Sequence, residues 1–169
     1  MEGAEEAREL LAQRKYREAG RLLERLMIGD SKDDELWYLR GVVSLRLRNY
    51  DGAMECFERA ITLGKKPKYY QTKGMANFEI FELKEAIGAF TESLALDPHD
   101  AASHFFIALC YMLQDDPRSG VHLKQAHDID KRKTKQLLMN FYTLFLKNDP
   151  RLNDVQRADM ERRLKGISE

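Results

Sequence analysis

Cysteine, proline and tryptophan are scarce in this chain of 169 residues, at two, four and one. The two cysteines, Cys56 and Cys110, lie far apart inside helical patterns, and neither has a second ligand at a metal spacing. Both read as buried apolar thiols. No stretch approaches the ~18–20 uncharged apolar residues that a membrane span needs. The opening twenty residues, MEGAEEARELLAQRKYREAG, are charged throughout and lack the apolar centre of a signal peptide. A cytoplasmic location is therefore expected.

Chemistry-bearing motifs are also missing. The sequence has no G-x-G-x-x-G and no G-x-x-x-x-G-K-[ST], so it offers no phosphate cradle. His99 and His104 are five apart, as are His122 and His127. Five residues turn about 140° around a helix, so neither pair converges as i, i+4 zinc ligands do. Glu79, Glu82 and Glu85 read as a solvated helix turn. The basic run KRKTK at 131–135 contains no aromatic for base stacking and opens an apolar helix, so nucleic acid is not an expected partner. No enzyme activity, metal or cofactor is expected.

Charge sums to zero, but unevenly. Residues 1–66 carry 13 basic and 13 acidic side chains, residues 67–130 carry 5 and 10, and residues 131–169 carry 10 and 5. That asymmetry can steer a charged partner or draw two segments of one molecule together.

Helical periodicity fills the rest. Glycine and proline are sparse, proline falls at the ends of periodic segments, and long β-branched alternating runs are missing. Helix pairs are predicted at 2–13 and 16–28, 34–47 and 50–63, 67–80 and 83–96, and 100–113 and 117–129. Single helices follow at 132–147 and 153–166. Pro67 and Pro117 suit a first helical turn, while Pro98 and Pro150 follow helix ends. Asp33 or Asp34, Asp100, and Asn153 or Asp154 are the candidate N-caps.

A period of 33–34 residues joins the pairs. Gly41 returns as Gly74, Ala53 as Ala86 and Phe57 as Phe90, each 33 residues later. Small residues recur where helices must approach closely: Gly41, Gly74 and Ala108 in first helices, and Ala19, Ala53 and Ala86 in second helices. Leu23, Phe57 and Phe90 fill the gap one turn on, followed by Leu26, Ala60, Ser93 and Ala126. One pair cannot bury its apolar face alone, whereas stacked neighbours bury it together.

These residues resemble the tetratricopeptide repeat, whose pattern runs W-x2-L-G-x2-Y, then A-x3-F, then A and P. The second unit offers Trp37, Gly41, Tyr50, Ala53, Phe57 and Ala60. The third offers Tyr70, Gly74, Leu83, Ala86, Phe90, Ser93 and Asp97-Pro98. The first unit is weaker, with Ala7, Leu10, Tyr16, Ala19, Leu23 and Leu26. The fourth fits with one residue lost in its turn: His104, Ala108, Tyr111, Ser119, Leu123, Ala126 and Asp130. Arg40 and Lys73 stand where the family usually has leucine. The resemblance implies an all-α fold, an α-solenoid of stacked antiparallel helix pairs in a right-handed superhelix. One domain over 1–169 is expected, with repeats at about 1–33, 34–66, 67–100 and 101–131 and capping helices over 132–169.

The resemblance also implies a concave groove lined by first helices. Carried over position by position, its lining is Tyr38, Val42, Leu45, Lys68, Gln71, Met75, Phe78, Phe105, Leu109 and Met112. Such a face suits a peptide or helix of a protein partner. Members that hold chaperone tails grip a terminal carboxylate with Lys and Asn. The matching positions here are Ala4, Arg8, Leu39, Lys68 and Thr72, or Tyr38, Val42, Thr72, Ala102 and Phe106, so that clamp is not expected. The alternative is a structural subunit. Leu137, Leu138, Phe141, Tyr142, Leu144 and Phe145 give a helix too apolar to stand alone. With Val155, Met160, Leu164 and Ile167 it forms either an end cap or a surface for a homodimer or a larger complex, with Phe141, Tyr142 and Phe145 as the contact candidates.

Overall fold

A computed structural model describes residues 2–28, 31–148, 150 and 153–166, with the backbone alone at 2, 159, 160 and 163–166. Its helices are α1 (Glu2–Ala12), α2 (Tyr16–Leu26), α3 (Asp34–Arg46), α4 (Tyr50–Leu63), α5 (Pro67–Glu79) and α6 (Leu83–Leu96). They continue as α7 (Ala101–Met112), α8 (Arg118–Ile129), α9 (Lys131–Phe141) and α10 (Asp154–Gly166). A π-helical turn, Tyr142–Leu146, prolongs α9. Among the described residues there is no strand. Each predicted helix is present within a residue or two of its expected ends, and the fold is the all-α helix-pair architecture of a repeat solenoid. The chain divides into two compact units, residues 1–98 and 99–169.

Helix starts follow local chemistry. Asp33 accepts hydrogen bonds from the Glu35 and Leu36 amides at 2.9 and 3.2 Å. Asp100 accepts from Ala102 and Ser103, and Asp130 from Lys133. Asn153 and Gln156 exchange reciprocal bonds of 2.9 and 2.8 Å at the start of α10, a capping box. Pro67 is the first residue of α5, where its missing N–H costs little.

Between the two helices of every pair the chain makes the same turn. Arg14, Arg48, Phe81 and Asp115 have φ of 59°, 60°, 63° and 53°, at intervals of 34, 33 and 34 residues. In each turn the next amide reaches back to a carbonyl five residues earlier. These bonds run from Lys15 to Leu10, Asn49 to Ser44, Glu82 to Asn77 and Asp116 to Tyr111, at 2.9 Å each. This is the Schellman pattern, which satisfies the last helical carbonyls. No glycine marks it in the sequence.

In the first unit, α1 to α6 pack in sequence and the small residues sit where expected. A Cβ on Gly41 would lie 2.6 Å from the Phe57 ring, and one on Gly74 would lie 2.9 Å from Phe90. Phe57, Phe90, Leu23 and the three alanines Ala19, Ala53 and Ala86 are buried. Leu26 departs from expectation: it is 39% exposed, and its neighbour Met27 is buried instead. In the second unit α7 packs on α8 and α9, and α9 on α8 and α10. Ile107, Ala108, Cys110 and Ala126 are core residues there. The Tyr142 hydroxyl donates to Glu161 of α10 at 3.0 Å. Ile167 lies outside the described residues, as do the side chains of Met160 and Leu164.

Candidate functional site

The richest polar constellation belongs to the first unit, on the face made by α1, α3 and α5. Glu35, near the start of α3, bridges two cations. Its carboxylate takes bonds from Arg8 of α1 at 2.9 Å and from Lys68 of α5 at 2.6 and 2.9 Å. The Tyr69 hydroxyl lies 2.9 Å from Glu35 and 3.0 Å from Asp34, and Lys66 reaches both that hydroxyl and Asp34. Tyr38 stacks on Tyr69 with ring centres 4.8 Å apart, and its hydroxyl meets Thr72 at 3.2 Å. The Lys68 ammonium lies 5.0 Å and 5.3 Å from the centres of these two rings.

This geometry sets the charges. Burial opposes ionisation of Glu35, but the hydrogen bonds from Lys68, Arg8 and Tyr69 outweigh it and hold the carboxyl down to about 2. Burial, with hydrogen bonds to Glu35 and Asp34, pushes the Tyr69 hydroxyl well above the ordinary phenol range. Tyr69 therefore stays a neutral donor. Burial also raises both thiols, Cys110 to about 12, so both stay protonated.

The expected groove residues separate by burial. Tyr38 and Lys68 belong to the polar constellation. Val42 and Tyr38 pack on the core cluster of Leu45, Ala53, Phe57 and Ala76. Gln71 and Phe78 are half-buried, and Met75 is 41% exposed. In the second unit Met112 is 46% exposed. Leu45, Phe105 and Leu109 are 8%, 1% and 3% exposed, which corrects their expected place in a lining. Their side chains fill helix–helix contacts and present no surface to a ligand. Tyr142 is 3% exposed, so it too is a core residue and not a contact surface. Phe141 is half-buried, with its ring 5.2 Å from that of Phe145, whereas Leu144 and Phe145 are 75% and 59% exposed.

Sequence reasoning missed two features. Glu35–Lys68 and Tyr38–Thr72 are 33 and 34 residues apart, so polar pairs read at the repeat period would have shown them. The histidines do converge, but across helices. His104 of α7 and His122 of α8 bring their Nδ1 atoms to 3.1 Å, with Tyr111 and Arg118 beside them. Burial, followed by the nearby His104 and Arg118, lowers the affinity of His122 for a proton. Among the described residues no group of three or more His, Cys, Asp or Glu is placed to hold a metal. None of the described helices is long and apolar enough to cross a membrane.

Residues 5–69 match the tetratricopeptide repeat. A tetratricopeptide-repeat-containing protein of Methanocaldococcus jannaschii is 21% identical over 122 residues, which is 72% of this chain and 21% of that protein. The chain thus spans about a fifth of that relative's length. Among solved structures, MamA from Desulfovibrio magneticus RS-1 superposes with a TM-score of 0.72 at 21% identity, covering 99% of this chain and 96% of its own. The first such domain of Spaghetti (RPAP3), solved with the HSP90 peptide SRMEEVD, gives 0.63 at 23% identity, covering 68% of this chain and 91% of that one. These likenesses establish the fold.

Proposed function

The chain is a tetratricopeptide-repeat protein, and from that premise we propose that it is a non-catalytic protein–protein interaction scaffold, or adaptor, that takes a peptide or helix of a partner. The binding face is that of α1, α3 and α5. The observation that carries this reading is an exposed Met75 two turns along the same face of α5 from Lys68, whose ammonium lies over the half-buried Tyr38 ring, itself held by stacking on the buried Tyr69. A soft thioether beside fixed aromatics accommodates apolar side chains of a peptide. A protein of the same fold holds a peptide of seven residues, which supports an occupant of that size. Capture of a free terminal carboxylate is not part of the proposal, because Arg8 and Lys68 are both held by Glu35.

The test is capture of partners from lysate by the wild type and by Met75→Glu, with circular dichroism to show that both are folded. Leu109 is unsuitable for this purpose, since a charge at a buried site tests folding. A partner bound by the wild type and lost roughly tenfold or more by Met75→Glu is expected. A folded variant that keeps every partner would overturn the reading. Exposed Leu144 and Phe145 favour a second reading, in which the C-terminal helices dock onto another subunit. It predicts an assembly lost in Leu144→Ser, Phe145→Ser.

A further inference from the structure

The edge of the first unit formed by its three intra-pair turns carries both signs of charge in separate halves. The first turn presents Arg14, Lys15 and Arg17, and the second presents Arg46 and Arg48, all exposed. Two carboxylates, Glu18 and Asp51, stand among these five cations. The third turn presents exposed Glu79, Glu82 and Glu85 with one lysine, Lys84. Between the halves lie apolar side chains in water: Leu47, Ile80 and Phe81 are 48%, 39% and 73% exposed.

These turns share one edge. Leu47 of the second turn lines a shallow concavity with residues 14–18 of the first. α3 and α5 run side by side in the same direction, as the Tyr38–Thr72 and Glu35–Lys68 contacts require. Their C-terminal turns are therefore neighbours, about 10 Å apart as packed helices are. Among the described residues, none of the five cations and three glutamates has a side-chain hydrogen bond or ion pair.

We propose that this edge is an isologous contact between two copies of the chain. A twofold axis near Leu47 and Phe81 lays the basic first and second turns of one copy against the acidic third turn of the other, twice over. The three apolar side chains meet their counterparts in the middle. The two-signed order selects this occupant. A twofold contact uses one patch on both partners, so the patch must be self-complementary. A basic half followed by an acidic half satisfies that when the copies run antiparallel. A purely acidic partner would face Glu79, Glu82 and Glu85 as like charges, and a purely basic one would face the five cations. The inference is independent of the peptide-binding face, which carries different residues.

Sedimentation equilibrium of the full chain tests it, with two charge-reversed variants. One carries Arg14→Glu, Arg46→Glu and Arg48→Glu; the other carries Glu79→Lys, Glu82→Lys and Glu85→Lys. The wild type is expected to dimerise at low ionic strength and to bind itself roughly tenfold or more weakly at high salt. Each variant alone is expected to be monomeric, because both halves of its edge then carry net charge of the same sign. An equimolar mixture is expected to regain the dimer, which also shows that both variants are folded. A wild type that stays monomeric at low ionic strength overturns the proposal. So does a dimer that survives both reversals, a mixture that stays monomeric, or a dimer lost in Leu144→Ser, Phe145→Ser and kept in the reversed chains. A monomer that binds only an acidic protein places the cations in another interface and overturns it as well.

Discussion

Four residues without glycine's freedom hold left-handed backbone, and Phe81 is the bulkiest of them. The left-handed region costs a side-chain-bearing residue roughly 1–2 kcal/mol. Glycine recovers that but adds up to about 1 kcal/mol of unfolded-state entropy. Phe81→Gly is therefore expected to stabilise the monomer by about 0.5 kcal/mol, read as a higher denaturant midpoint at unchanged slope on dilute protein. Glu35 supplies a pH dependence. Its folded value of about 2 lies below the ordinary ~4.3 of a free glutamate. The unfolded chain thus binds the extra proton first as pH falls. The contribution of Glu35 is complete above about pH 5 and is lost progressively toward pH 2. Glu35→Gln is expected to lower stability at neutral pH by on the order of 2 kcal/mol and to flatten the acid limb of a stability–pH curve. An unchanged acid limb would show that the bridge from Arg8 to Lys68 is not formed in solution.

Helices in this chain are positioned by close approach more than by amphipathicity. Gly41 admits the Phe57 ring and Gly74 admits Phe90, so each first helix lies directly on its second. Gly41→Ala sets two effects against each other. Alanine is better in a helix by about 1 kcal/mol. Its Cβ would lie 2.6 Å from a ring that is fully buried and has no room to swing away. Overpacking of this kind costs about 1–3 kcal/mol and outweighs that gain over most of its range, so a net loss of up to about 2 kcal/mol is expected. The same substitution in a Phe57→Leu background should cost less, and a double-mutant cycle measures the difference. Capping residues were readable at this scale because Asp33, Asp100 and Asn153 precede their helices and act on neighbours two or three residues away. The π-helical turn over Tyr142–Leu146 was not, since nothing in its composition separates it from the α-helix before it.

Each pair in a stacked array depends on its neighbours, so protection against opening should follow position. α3 to α6 hold the buried rings of Phe57, Tyr69 and Phe90, whereas the described side chains of α10 are largely exposed. Amide hydrogen exchange is expected to be slowest in α3 to α6 and fastest in α10. Equal protection throughout would mean that the chain opens as one cooperative block. The repeat is also what gives the molecule faces. First helices in register align Arg8, Glu35 and Lys68 into one network, and successive turns align charges of opposite sign along one edge.

The sequence by itself determined the period, the helix pairs and the small residues at their contacts, because these depend on spacing along one chain and on steric size. It also determined that no familiar reactive motif is present. Tertiary structure decided which periodic residues face outward. Leu45, Phe105 and Leu109 share helix positions with groove residues of the family but are covered by neighbouring helices, and burial is a property of the neighbours. It decided that His104 and His122 meet, since eighteen residues of separation mean nothing until α7 and α8 are laid side by side. It also decided the turns: two arginines, a phenylalanine and an aspartate carry no glycine-like signal between them, yet Arg14, Arg48, Phe81 and Asp115 all hold the same left-handed backbone where each helix turns back on its partner.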